Sequence, residues 1–160
     1  MTVTVLTGAV AVLRDASMVT RDPVVVDDRR IGAAVGGRAA ADEVVDVSGC
    51  VVTPGLVNAH HHLLQTAFRS RPESRSVPMP QWLGLMAQRY SSVGVDPELV
   101  AAAAAAGLAE SLLCGVTTVA DHHLTWPGGQ DPVALAGGTI DAAARVGARL
   151  VFVQIGRASC

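Results

Sequence analysis

The stretch PGLVNAHHH, residues 54–62, decides the fold class of this chain. After the Pro-Gly turn signal, Leu56 to His60 is a short apolar run typical of a buried β-strand, and it ends in consecutive histidines. Side chains alternate faces along a strand, so His60 and His62 are predicted on one side and His61, as a packing or supporting residue, on the other. Two imidazoles so placed can bind one divalent ion, with Zn²⁺ preferred and Fe²⁺ as the alternative. A purely structural role is the other interpretation of a histidine pair on a strand.

The remainder of the chain repeats an α/β pattern. Asp96 is a good N-cap with proline at the next position, and Gly115 is a natural left-handed end for the Ala-rich helix that follows. A strand is predicted over 116–121, and a second Asp-Pro pair at 131–132 begins a helix that Gly147 ends. A further strand is predicted over 148–155, and a short amphipathic helix over 82–90. Alternating strands and helices predict a parallel sheet covered by helices.

All five histidines lie at the ends of two predicted strands, His60 to His62 on the first and His122 and His123 on the second. The carboxyl ends of parallel strands form the edge where active sites are found, so the clustering predicts a functional site there. For His122 and His123, a substrate contact and a structural role both stay open. Asp121, at the end of an apolar strand, is predicted to brace a loop or cap a helix.

Residues 1–52 are predicted to form a small β-sandwich segment or meander. Short β-branched runs such as Val24 to Val26 and Val44 to Val47 alternate with Gly- and Asp-rich turns, and no helix-length periodic segment occurs. The domain boundary is therefore expected near residue 52, with an α/β domain over 53–160.

Composition excludes several classes of protein. A formal net charge of -2 over 160 residues gives no electrostatic footprint for nucleic acid or an anionic membrane. The longest apolar stretch, 100–120, contains Glu110 and two glycines, which argues against a membrane span. The N-terminus lacks a signal-peptide pattern, and the odd, widely spaced cysteines, Cys50, Cys114 and Cys160, favour a reducing cytoplasm.

Residues 54–62 resemble the first barrel strand of the amidohydrolase superfamily, whose (β/α)₈ barrel holds a metal with a His-x-His pair. The segment from Ile31-Gly32 and Val35-Gly36 to Val52 is similar to the small β-sandwich that precedes that barrel. Residues 60–66, 82–83 and 110–123 resemble the branch that contains 8-oxoguanine deaminase and hydroxydechloroatrazine ethylaminohydrolase. The fold implied is α/β, a (β/α)₈ TIM barrel represented by its first three strands.

The resemblance implies roles for particular residues. His60 and His62 match the first two ligands of one divalent metal, Gln65 matches a position that contacts the heterocyclic substrate, and His122 and His123 match a pair near the pocket mouth. The implied reaction is metal-dependent hydrolysis of a carbon–nitrogen bond, deaminating a purine, pyrimidine or triazine. Ring-opening hydrolysis of a cyclic amide, and a non-enzymatic module that binds metal or a partner, are the alternatives.

The chain departs from the family in its length. A (β/α)₈ barrel typically takes about 250 residues, and the family's later histidines, acid–base Glu and metal-linked Asp have no counterparts here, because no histidine follows His123. We therefore expect a truncated barrel that is inactive alone. Its open apolar sheet edge would favour aggregation or a homo-oligomer.

Overall fold

The computed structural model describes residues 2–28, 30–32 and 41–156. Val35, Gly36 and Cys160, which carried part of the sequence analysis, lie outside the described residues. The chain divides into two compact units, residues 1–54 and 55–160. Strands in both and helices in the second confirm a mixed α/β class.

The described part of the first unit contains two small sheets. Its strands are β1 (Val3–Thr7), β2 (Ala11–Leu13), β3 (Val19–Thr20), β4 (Val24–Asp27), β5 (Arg30–Gly32), β6 (Glu43–Asp46) and β7 (Val51–Val52). One sheet has the order β5-β4-β1-β6 and the other β3-β2-β7. Within them, β1 pairs with β6 and β2 with β7 in parallel, and the remaining pairs are antiparallel. Val12 in β2 and Val24 in β4 are the buried apolar residues of the described part of this unit.

The second unit is a three-stranded parallel sheet with helices on one face. Strands β8 (Leu56–His61), β9 (Val116–His123) and β10 (Arg149–Gln154) lie in the order β10-β9-β8. Two 3-10 helices follow β8, and the longer helices are α1, α2 and α3. Their bounds are Leu63–Phe68 and Pro72–Ser74 for the 3-10 helices, and Met79–Val93, Pro97–Leu113 and Pro132–Val146 for α1 to α3. None of the helices in the described ranges has both the length and the apolar character needed to span a bilayer.

The local signals place α2 and α3 as predicted. The Asp96 carboxylate accepts a 2.8 Å hydrogen bond from Leu99 N, and Asp131 accepts one of 3.0 Å from Val133 N. Gly147 has a positive φ of 77°, the left-handed conformation that ends α3 at no steric cost. Helix α1 is longer than the predicted range of 82–90. It begins directly after Pro78 and runs to Val93.

The two faces of the parallel sheet differ sharply. Helices α2 and α3 cover one face, where Leu108, Val119 and Ala142 are fully buried. Because side chains alternate along a strand, Val57 and Val151, which pair with residues adjacent to Val119, point to the other face. They are 67% and 53% exposed. Parallel sheets are normally covered on both faces, so within the described residues this one is half covered.

Candidate metal centre

A β-bulge in β8 shapes the histidine segment. Asn58 pairs with Val119 and His61 pairs with Asp121, so β8 carries one more residue than β9 between these pairs. The Asn58 side-chain oxygen accepts a 3.1 Å hydrogen bond from the backbone N–H of His60, which closes the bulge locally. Bulges re-aim side chains and are common beside active sites. The alternation rule, which did not foresee the bulge, still places His60 and His62 on one side.

His60 and His62 converge on each other. Their Nε2 atoms are 3.3 Å apart and their rings are nearly perpendicular, at 87°. His62 Nδ1 lies 2.6 Å from the backbone oxygen of His122, so this nitrogen carries the proton and donates it. The Nε2 of His62 is therefore left with a free lone pair that faces His60. A hydrogen-bonded Nδ1–H that fixes the tautomer is the arrangement in which metal-binding histidines are found.

The spacing of this pair fits a tetrahedral metal ion. With Zn–N bonds of about 2.0–2.1 Å, two nitrogens bound to one tetrahedral zinc are about 3.3–3.4 Å apart. The observed separation of 3.3 Å agrees with that distance. Within ranges 2–28, 30–32 and 41–156, no three His, Cys, Asp or Glu side chains form a group able to hold a metal. The described residues thus offer two ligands, one fewer than a catalytic zinc requires.

His61 lies on the opposite side of the strand, as predicted. It pairs with Asp121 across the sheet, and its Nδ1 is buried with no hydrogen-bond partner. Burial lowers the pKa of His61, although the nearby Asp121 opposes this effect. A partly buried ring on the side away from the pair is consistent with packing and offers no lone pair to an ion between His60 and His62.

His122 contacts β8 at two points, the ring of His60 and the backbone oxygen of Ala59. Its ring stacks on that of His60, with centroids 4.2 Å apart and an interplanar angle of 23°. Its Nε2 lies 3.2 Å from the backbone oxygen of Ala59, to which it donates. Its own backbone oxygen accepts the hydrogen bond from His62 described above. His122 is therefore placed against both candidate ligands.

His123 and Asp121 point to the covered face and are buried. The His123 ring packs against Trp126 and Phe152, and its Nε2 is 2.9 Å from the oxygen of Thr125. Its Nδ1 and the Asp121 Oδ2 are 3.9 Å apart, too long for a hydrogen bond. Burial is the largest influence on both pKa values, lowering that of His123 and raising that of Asp121, so it disfavours the charged form of each side chain. Both ring nitrogens of His123 therefore face protein atoms.

An open cavity of about 670 Å³ adjoins His62. Gln65 lines it, together with the aromatic side chains Trp82, Tyr90 and Trp126. Burial raises the pKa of Tyr90, and a hydrogen bond with the Gln65 side chain opposes this effect. Gln65 is thus placed beside the candidate metal pair. His122 and His123 do not line this cavity, but they line a much smaller pocket that also includes His62 and Gln65.

The aromatic walls were missed by sequence reasoning, although a compositional signal existed. The whole sequence contains two Trp and one Tyr, and all of them line this cavity. Aromatic side chains scarce in a chain and gathered in one unit are candidates for a ligand pocket. The stacking of His122 on His60 had no such signal, because it joins residues 62 positions apart.

Comparison with known proteins finds similarity to one family model and to several curated proteins. The model of the amidohydrolase family matches residues 51–153. The 8-oxoguanine deaminase of Pseudomonas aeruginosa is 40% identical over 109 residues, which cover 66% of this chain and 24% of that protein. A 5-methylthioadenosine/S-adenosylhomocysteine deaminase of Halobacterium salinarum is 36% identical over 120 residues, or 75% of this chain and 26% of that protein. The chain spans about a quarter of the length of these curated relatives.

Solved structures agree with this likeness. Atrazine chlorohydrolase TrzN from Arthrobacter aurescens TC1, complexed with zinc, superposes with a TM-score of 0.82 at 30% identity. The superposition covers 94% of this chain and 35% of that one. A triazine hydrolase variant superposes with a TM-score of 0.84 at 29% identity, over 96% of this chain and 36% of the other.

Proposed function

Because this chain belongs to the amidohydrolase family, we propose that it forms the first part of a metal-dependent hydrolase that deaminates an amino-substituted heterocycle. The bond cleaved is a carbon–nitrogen bond other than a peptide bond, in a purine, pyrimidine or triazine ring. The observation that carries this proposal is the 3.3 Å convergence of the Nε2 atoms of His60 and His62. Relatives named as deaminases of 8-oxoguanine and isoxanthopterin, and neighbours named as triazine hydrolases, support the substrate class.

The proposed architecture is a small β-sandwich segment, residues 1–52, followed by the first three strands of a (β/α)₈ barrel, residues 53–160. The division of the chain after Pro54 supports this boundary. The uncovered face of the parallel sheet supports an incomplete barrel, since Val57 and Val151 lack the cover that a parallel sheet normally has on that side. Later strands of a longer protein would complete both the barrel and the metal site.

His60 and His62 would hold one divalent ion, Zn²⁺ in preference to Fe²⁺, and a neighbour complexed with zinc supports that preference. When bound, the ion supplies an activated water nucleophile at neutral pH. Two imidazoles alone leave the ligand set short of the three that catalytic zinc needs. We therefore expect the 160-residue chain to bind zinc weakly and to be inactive by itself.

The cavity beside His62 would bind the substrate. Trp82, Tyr90 and Trp126 offer flat apolar surfaces that suit a planar heterocycle and exclude water from it. The Gln65 carboxamide has both a donor and an acceptor, so it can hydrogen-bond the ring edge and orient the amino-bearing carbon toward the metal pair. His122 and His123 line a smaller pocket that shares His62 and Gln65 with this cavity, so a substrate contact by either histidine stays a prediction.

Metal binding tests the central element of the proposal. The purified chain is titrated with Zn²⁺ in competition with a chromophoric chelator, and His60→Ala and His62→Ala are compared with the wild type. Both substitutions are expected to abolish the binding measured, because each removes one of the two ligands. His61→Gln is the matched control, since His61 faces the other side of the strand. Loss of zinc through His61→Gln, with His60→Ala unaffected, would contradict the assignment.

Turnover tests the reaction class. Ammonia release from 8-oxoguanine and from an amino-triazine is measured for the 160-residue chain and for a longer protein that continues into the missing strands. We expect metal-dependent release only from the longer form, with loss on His60→Ala. Ring opening of a cyclic amide without ammonia release would replace deamination with the alternative hydrolysis. Saturable ammonia release by the short chain itself would overturn its expected inactivity.

A further inference from the structure

We propose that His122 is the positioning residue that fixes the ring of His60 in the orientation that faces His62. The inference rests on the proposed metal pair and assigns a role to a histidine that neither binds the ion nor lines the cavity. Stacking at a centroid distance of 4.2 Å leaves the His60 ring with one supported face. His60 is otherwise an exposed side chain, so this contact restricts its side-chain torsions.

The bulge explains why such support is needed. Between Asn58 and His61 the regular pairing of β8 with β9 is interrupted. The backbone at His60 therefore lacks the regular pairing with β9 that the flanking residues have. The Nε2–H of His122 donates to the oxygen of Ala59 inside this interruption. The side chain of His122 therefore restores a cross-strand hydrogen bond at the point where the strand pairing lacks one.

The same residue also fixes the second ligand, through its backbone. The carbonyl oxygen of His122 accepts the Nδ1–H of His62 at 2.6 Å. His122 on β9 thus orients the His60 ring by stacking on it, and its backbone oxygen fixes the tautomer of His62. The backbone contact is available to any residue at this position, whereas the stack needs an aromatic ring and the bond to Ala59 needs the imidazole N–H. Substitution of His122 is therefore expected to disturb His60 selectively.

Among the described residues, His122 does not complete a three-ligand group with His60 and His62. Its ring lies nearly parallel to that of His60, at 23°, and its Nε2 is committed to the Ala59 oxygen. The nitrogens that converge are those of His60 and His62, whose rings are nearly perpendicular. His122 consequently supports the pair from one side and leaves the position between the two Nε2 atoms accessible.

Imidazole NMR of the metal-free chain tests the orientation directly. The ring protons of His60 are expected to show a ring-current shift in the wild type that His122→Ala removes and His122→Phe retains, because Phe keeps a stacking ring. In the zinc titration, His122→Ala is expected to weaken binding about 10–100-fold, the usual cost of removing a residue that orients a ligand. His122→Phe is expected to recover most of that loss.

His123→Phe is the matched control, because it changes the neighbouring histidine on the opposite face and preserves aromatic packing. It is expected to leave zinc affinity unchanged. Unchanged zinc affinity and unchanged His60 shifts in His122→Ala would overturn the inference. Absence of zinc binding in the wild type, with the His60 ring-current shift present, would overturn the proposed metal pair while leaving the orienting role of His122 standing. Should His122→Ala fail to fold, His122→Phe alone decides: it must keep both the shift and the affinity.

Discussion

The backbone N–H of Leu63 donates a 2.8 Å hydrogen bond to the carboxylate of Asp121, 58 residues further along the chain. Both residues are almost completely buried. The bond joins the first residue after His62 to β9, so it fixes the point at which the chain leaves the histidine strand. The other carboxylate oxygen of Asp121 has no hydrogen-bond partner, which makes the single bond to Leu63 the main polar contact of a buried acid.

Two replacements of Asp121 distinguish the contribution of this hydrogen bond to stability from that of the carboxylate charge. Asp121→Ala is expected to lower the free energy of unfolding by about 1–3 kcal/mol, because it leaves a buried N–H without an acceptor. Asp121→Asn keeps an oxygen in place and is expected to retain most of the stability. Urea denaturation followed by circular dichroism measures both. Equal losses in the two variants would mean that the bond to Leu63 is not the source of the effect.

The stability of the wild type relative to Asp121→Asn is expected to depend on pH. Burial raises the pKa of Asp121 above its ordinary value of 3.8, so the folded protein holds this proton more tightly than the unfolded chain. The corresponding stability is fully present below pH 3.8 and is lost as the pH rises through the raised pKa. The stability of the Asn variant relative to the wild type should therefore rise over that interval and then level off.

Denaturation of both proteins at a series of pH values measures this difference in the free energy of unfolding. The Asn variant is the reference, because all other titrating groups are the same in the two proteins. The hydrogen bond from Leu63 N, followed by the charges of His123, His61 and His62, opposes the rise in the Asp121 pKa. A wild type that gains stability relative to the Asn variant as the pH rises would show that these interactions outweigh burial.

Two adjacent glycines of α3 should respond oppositely to alanine. A Cβ on Gly138 would lie 2.7 Å from the backbone oxygen of Pro97, whereas one on Gly137 would meet nothing within 4 Å. Gly138→Ala is expected to cost about 1–3 kcal/mol through overpacking of α3 on α2. Gly137→Ala is expected to stabilise by up to about 1 kcal/mol, because alanine loses less backbone entropy in a helix.

Thermal and urea unfolding compare these two variants directly. Since the glycines share a helix and a sequence neighbourhood, a difference between them reports the close approach of Gly138 to Pro97 and Ala101 of α2. Similar effects of the same sign would indicate that α3 shifts away from α2 at little cost.

The N-cap of α2 gives a local prediction. Asp96→Ala removes the acceptor for Leu99 N and is expected to cost about 1 kcal/mol, whereas Asp96→Ser retains a capping oxygen and should cost less. Equilibrium unfolding of both variants measures the effect. A serine variant as unstable as the alanine variant would assign the loss to something other than the cap.

Most of the helix–strand pattern could be predicted because its signals are local. Each helix begins or ends through residues only a few positions apart. The Asp-Pro pairs at 96–97 and 131–132 cap the N-termini of α2 and α3, and Gly147 ends α3. The length of α1 was underestimated, since its N-terminus has no side-chain cap and starts after Pro78. The pairing of His60 with His62 followed from the two-residue period of a strand.

What the amino-acid sequence alone determined is therefore the order of strands and helices and the side of β8 on which His60 and His62 lie. Tertiary structure decided the bulge in β8, the stacking of His122 on His60, the burial of His123 and the aromatic cavity beside Gln65. Each of these depends on contacts between segments far apart along the chain. Such contacts form only when whole elements, here β8, β9 and α1, pack together. Caps and alternation act within one or two turns of backbone, so they carry no information about which distant residue will lie opposite.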